Sequence, residues 1–323
     1  MPEDETRTAL SGWQTWFGAM LAQGMVASVW IVALGRVLRP VAPRVRARWA
    51  RAALIWPVLL PSVQALLPSP WPGQWLAVAE VLRSLADRVG LLWWALGLLL
   101  GVITVLFVVQ ELLPALWAHR RWAGQTPQAD LRLDRVAGPV QAAFAAAGMG
   151  AARQPVDVLV LPVDESVALL WGVLRPRVLV SRGLMAEVDD EMLAGVIAHE
   201  LAHRFRGGNR SMMGLWLVRA LQAASPAALM TFRNLVEIEE LACDALAAQV
   251  LQRPAALASA LLKTRRPHRA GARGLALVRQ RGEIAFVRHR VRRLLDEPAR
   301  PATGAWAGYG VGLSLGLILW GIG

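Results

Sequence analysis

Two of the five histidines in this 323-residue chain stand four positions apart in AGVIAHELAHRFRGGNR, residues 194–210, with Glu200 directly after the first. Asp189 and Asp190 offer an N-cap, and Met192, Leu193, Val196, Ile197 and Leu201 recur at helical spacing. Gly207 and Gly208 provide a stop, so the pattern predicts a helix. On it His199 and His203 share a face one turn apart, where two imidazole nitrogens can reach one ion at about 2.0–2.1 Å. Glu200, about 100° around the axis, lies beside that face, placed to act as a base toward water rather than as a ligand. The alternative is a surface helix with two solvated histidines. A chance H-E-x-x-H among so few histidines is on the order of one in a hundred or less, which favours the metal.

Catalytic zinc takes three protein ligands and keeps one position open, so a further ligand is needed. His119 abuts an apolar segment, and His268 and His289 lie in an arginine-rich stretch. The better source is NLVEIEELACDALAAQVL, residues 234–251, a helical run in which Glu240 and Asp244 share a face. Glu240 is the candidate third ligand, and Asp244 the candidate acceptor for the remaining ring N–H of a ligand histidine. Glu237 and Glu239 read as a solvated helix face. Cys243 reads as a small buried residue pointing away from the Glu240 face. It is the single cysteine, so an internal disulfide and a C-x-x-C metal site are both excluded.

The rest of the chain must position these groups, and its composition says where. Hydrophobic residues make up 55% of the chain and the mean hydropathy is +0.41, high for a soluble globule. Four apolar segments approach the roughly 20 residues a helix needs to cross a bilayer: 16–35, 52–67, 91–117 and 305–323. The second is short and carries Pro57 and Pro61. The first follows an acidic leader, MPEDETRT, with no clear cleavage site, so it reads as a retained helix rather than a secretory signal. Many of the tryptophans, among them Trp13, Trp30, Trp117 and Trp306, lie in or at the ends of these segments, which suits interfacial anchoring as well as core packing.

Lys and Arg outnumber Asp and Glu by 35 to 23, and the excess is clustered. Between the first two segments lie Arg36, Arg39, Arg44, Arg46, Arg48 and Arg51 with no acidic residue, whereas the next loop balances Glu80 and Asp87 against Arg83 and Arg88. That asymmetry predicts the N-terminus outside and residues 118–300 in the cytoplasm. The arginine clusters border apolar runs and lack interleaved aromatics, so no nucleic-acid partner is expected. The arginines of 265–293 read equally as contacts for anionic lipid or for substrate. By length 211–232 is a fifth span, but Arg219 and Pro226 favour a buried or membrane-skimming helix. Between the third and fourth segments the chain reads as α+β: QAAFAAAG as helix, PVDVLVLP and RPRVLVSRG as strands.

HELAH, the Pro226-containing helix and EELACD together resemble the BlaR/MecR-type integral-membrane zinc peptidases and their sensorless relatives. GVLRPRVLVSRGLM looks like that family's strand, and FVRHRVRRLL at 286–295 like the basic helix closing its peptidase domain. The resemblance implies a mainly α-helical α+β fold: a three-helix membrane region at 1–117, a zincin-like gluzincin domain at 118–300 and a last membrane helix at 301–323. It further implies one zinc held by His199, His203 and Glu240, Glu200 as general base, and Asp244 as the partner of His199. The strand near Arg177–Ser181 would be an edge for a substrate peptide, and the setting a bacterial inner membrane. RFRGGN departs from relatives that place an acid soon after the arginine. The chain also ends after the fourth segment, so beta-lactam sensing is not expected.

The expected reaction is hydrolysis of a protein or peptide substrate, with regulatory cleavage of a repressor-like protein as the leading case. An HtpX-like quality-control protease and a non-proteolytic zinc scaffold are the alternatives. Glu200 argues against the scaffold, because a structural site has no use for it. The only tyrosine, Tyr309, lies in the last apolar segment, so an oxyanion-stabilising arginine or histidine from 265–293 is left open.

Overall fold

The computed structural model describes residues 43–66, 126–149, 155–223, 225–264 and 275–296, most of 19–33, isolated positions at 16 and within 98–120, and residue 315. The predicted segments 91–117 and 305–323 fall largely outside these residues. No helix among those described is long and apolar enough to cross a membrane. The chain divides into two units, one of Met1–His119, Gly214–Glu239 and Ala302–Gly323 and the other of Arg120–Met213 and Glu240–Pro301.

In the first unit residues 52–66 of the second apolar segment lie in helix α1, Pro43–Leu66, which holds Pro57 and Pro61 in its interior. Arg44, Arg46, Arg48 and Arg51, expected in a loop, therefore ride on the first half of a helix. Polar side chains tie the elements of this unit together. Gln222 Nε2 donates to Leu54 O at 2.8 Å, and Ser28 Oγ lies 2.9 Å from Thr231 Oγ1. Arg51 Nη2 donates to Glu239 Oε1 at 2.6 Å. Glu239 is thus not on a solvated face as expected: it is buried and ion-paired, because a carboxylate leaving water needs a cation. Glu237 is exposed, as expected.

The second unit carries the site. Its first helix, α2 (Leu131–Phe144), starts at Asp130, which accepts from Leu133 N, and ends in a tight π-turn over Ala145–Met149. Three strands follow, β1 (Val158–Leu161), β2 (Ala168–Trp171) and β3 (Arg177–Ser181), in the order β1-β3-β2. β3 pairs parallel with β1 and antiparallel with β2. The expected edge strand is therefore central: Val178, Leu179 and Val180 are all buried, and a strand apolar on both faces belongs in the middle of a sheet. The edges are β1, partly covered by the Gln128–Val160 bridge, and β2, which was not predicted as a strand because ALLW lacks β-branched residues and alternation.

A short helix, α3 (Arg182–Glu187), leads to α4 (Asp190–Phe205), whose N-cap Asp189 accepts from Met192 N at 2.8 Å. Its register is held by Arg132, which donates to Asp190 Oδ1, Met185 O and Val188 O at 2.6–2.7 Å. α4 buries Leu193, Ile197 and Leu201, one stripe at i, i+4 and i+8, in a core shared with Leu133, Val140 and Phe144. It ends where expected, with Gly207 at φ 118° and Gly208 at φ 59° absorbing the left-handed turn.

Beyond that turn run α5 (Gly208–Leu221), α6 (Pro226–Leu251), α7 (Pro254–Lys263) and α8 (Leu275–Asp296). The stretch 211–232 is thus broken, with Ser225 Oγ accepting from Ala228 N and Pro226 opening α6. α7 lies close against α4 at Gly195, where an added Cβ would sit 3.0 Å from Leu257 N. A side chain there would force the two helices apart.

Candidate active site

Helix periodicity does the first part of the assembly. α4 stacks His199 over His203 with ring centroids 4.8 Å apart and planes at 88°, and their Nε2 atoms 3.2 Å from each other. α6 brings Glu240 to the same point, with Oε2 3.4 Å from His199 Nε2 and Oε1 3.3 Å from His203 Nε2. Ligands at about 2.0–2.1 Å around a tetrahedral ion stand about 3.3–3.4 Å apart. The three contacts match that edge length, and the donor set of two imidazoles and a carboxylate suits zinc.

Asp244, one turn after Glu240, places Oδ1 2.9 Å from His199 Nδ1, although the contact is bent away from the direct hydrogen-bond line. The carboxylate favours the hydrogen on Nδ1 and leaves Nε2, which faces His203 and Glu240, free to hold an ion when one is bound. Cys243 also reaches the site, with Sγ 3.3 Å from His203 Nδ1. It is fully buried, as expected, but it does not point away. At i+3 from Glu240 it sits close to the same face, and so faces the second ligand histidine.

The residue missed by sequence reasoning is Arg290 of α8. Its Nε and Nη2 each donate to one oxygen of Asp244 at 2.7 Å, and Nη1 lies 3.0 Å from Glu240 Oε2. A signal was present: Arg290 is three residues after Val287 and four before Leu294, so it falls on the helix's apolar face rather than among its exposed arginines.

Glu200 is 9% exposed, and among the described residues no group hydrogen-bonds its carboxylate. Its carboxylate oxygens are not sealed from solvent, so they can meet a water molecule and act on it.

The charges are strongly coupled. Burial works against a charged His199, but Asp244 and Glu240 outweigh it and raise the ring to about 10 in the metal-free protein. Burial likewise opposes ionisation of Glu240 and Asp244. The ligand histidines with Arg290 hold Glu240 well below the usual carboxylate range, and Arg290 with His199 lowers Asp244. At pH 7 metal-free His199 therefore carries a proton that zinc must displace. Zinc affinity should rise about tenfold per pH unit while this one proton is exchanged, levelling off near pH 10. Chelator competition across a pH series reads this directly, and a flat affinity between about pH 7 and 9 contradicts it.

The fold and the site define the class: a zinc metallopeptidase with an H-E-x-x-H helix and a downstream glutamate. The model of peptidase family M48 matches residues 130–285, a span that holds His199, Glu200, His203, Glu240 and Asp244. Over that span the chain is similar to family M48, and it is a zinc metallopeptidase with His199, His203 and Glu240 as its candidate metal site. The match stops five residues short of Arg290. No curated protein matches the chain closely enough to count as a relative.

Proposed function

We propose that the chain is a membrane-bound endopeptidase that cuts a cytoplasmic or juxtamembrane protein, with regulatory cleavage of a repressor-like substrate as the leading case. The observation that carries the hydrolytic reading is the convergence of two imidazole nitrogens and the Glu240 carboxylate, at 3.2–3.4 Å contacts, beside a Glu200 whose carboxylate has no hydrogen-bond partner among the described residues. Zinc, when bound, supplies Lewis acidity toward a carbonyl oxygen and acidifies water to near neutrality. Glu200 takes a proton from the attacking water as its oxygen bonds to the scissile carbonyl carbon. The same carboxyl returns that proton to the amide nitrogen as the C–N bond breaks. His199, His203 and Glu240 are the ligands, and Asp244 orients His199.

Substrate positioning falls to the outer edge of β2. Ser181 N donates to Val167 O, so by alternation Ala168 and Leu170 turn their backbone groups outward. Asn209 Nδ2 already donates to Leu170 O at 2.6 Å and to Gly172 O at 3.1 Å. A substrate strand would therefore pair along the Ala168 end of this edge.

The membrane setting rests on the apolar segments and the arginine asymmetry. They favour a multi-pass protein of the bacterial inner membrane, with N-terminus outside, three helices within 1–117, the peptidase domain of 118–300 cytoplasmic and a last helix in 301–323. The resemblance to BlaR/MecR-type peptidases favours a single regulatory substrate. The test compares cleaved proteins in cells carrying the wild type or Glu200→Gln. One soluble, repressor-like protein cut only by the wild type is the expected result. Many membrane proteins cut instead would replace it with the quality-control reading, and no difference would remove proteolysis altogether.

A further inference from the structure

Arg290 is a buried cation in contact with the ligand cluster that cannot itself bind a metal, since a guanidinium has no lone pair to offer. It is 9% exposed, whereas its neighbours Arg288 and Arg292 are exposed. Val291 and Leu294 fix its helix on the core, and Phe286 lies under the guanidinium at 5.9 Å. Nε, Nη1 and Nη2 all face carboxylate oxygens at 2.7–3.0 Å. An arginine so engaged does not face a substrate, so the oxyanion role left open for 265–293 does not fall to it.

We propose that Arg290 is the positioning residue that preorganises the zinc site: it clamps Asp244 with two hydrogen bonds and holds Glu240 through an ion pair at 3.0 Å. The third ligand and the carboxylate behind His199 are thereby held in one arrangement before the ion arrives. This rests on the zinc-site reading above. Without the guanidinium, two carboxylates one helical turn apart would face each other in a largely buried pocket and repel. With it, the contacts close a ring: His199 to Asp244, Asp244 to Arg290, Arg290 to Glu240, and Glu240 back to His199. The planar fork matters as well as the charge, because a lysine offers one point donor where Arg290 meets two separate carboxylates.

The experiment is zinc affinity by chelator competition on the purified full chain in detergent, for the wild type, Arg290→Gln, Arg290→Lys, Asp244→Asn and the double variant Arg290→Gln/Asp244→Asn. Arg290→Gln should bind zinc about 10–100-fold more weakly, the range seen for groups that orient metal ligands. Arg290→Lys should recover part of the loss. Because Arg290 acts through Asp244 as well as on Glu240, the double variant should lose clearly less than the product of the two single losses. Arg290→Gln binding within about 3-fold of the wild type, or losses that multiply in the double variant, would overturn the proposal. A lower Tm with unchanged zinc affinity would mark a merely structural residue and overturn it too. If circular dichroism shows Arg290→Gln unfolded, the lysine variant decides: wild-type affinity counts against the proposal, a reduced affinity for it. A wild type that fails to take up one zinc would refute the metal site itself rather than this role.

Discussion

Glu200→Gln should leave a folded protein that still takes up one zinc per chain but has lost peptide cleavage. Glutamine keeps the shape of the side chain and removes the proton acceptor. Glu200 lies outside the cluster of His199, His203 and Glu240, and among the described residues its carboxylate takes part in no hydrogen bond that the substitution would break. General acid–base groups contribute about 10²–10⁴-fold, so turnover should fall by at least that range. The loss should appear in kcat with KM little changed, because Glu200 acts on the water in the transition state rather than on substrate binding. The measurement pairs zinc by elemental mass spectrometry with single-turnover cleavage of a protein substrate. Turnover within tenfold of the wild type would end Glu200's assignment as the base.

Glu240→Ala should act on the other half of the site. It removes the ligand that approaches both histidine Nε2 atoms and strands Nη1 of Arg290. Two histidines one turn apart still form a site, but a poor one. Zinc affinity should fall by more than the roughly 10–100-fold that loss of an orienting partner costs, and activity should return only in excess zinc. Glu240→Gln, which keeps a carbonyl oxygen in place without the charge, should fall between. Dialysis against a graded chelator series with zinc counted at each step separates the three proteins. Zinc retention equal to the wild type in Glu240→Ala would exclude Glu240 as a ligand.

The two variants probe groups of different visibility. His199, Glu200 and His203 are written within five consecutive residues, and helical geometry alone puts them on adjoining faces. Glu240 and Asp244 were legible for the same reason, as a pair four apart on a second helix. Local periodicity could not say that Cys243 meets His203, that Glu239 is buried against Arg51, or that Arg177–Ser181 is the middle strand. Each of those depends on which element lies alongside. FVRHRVRRLL offered four arginines, and only the docking of α8 through Val291 and Leu294 chose Arg290.

By itself, then, the sequence determined which groups are on offer: a helix carrying two histidines and a glutamate, a second helix with two carboxylates one turn apart, and apolar segments that suit a bilayer. The tertiary structure decided how those parts are held. It drew Glu240 to 3.3–3.4 Å from two histidines and set one buried guanidinium across two carboxylates. The physical reason is range. Helix and strand periods act over a few residues and are written locally, whereas a buried charge is satisfied only by whatever the fold places within hydrogen-bond distance, here 46 residues further along the chain.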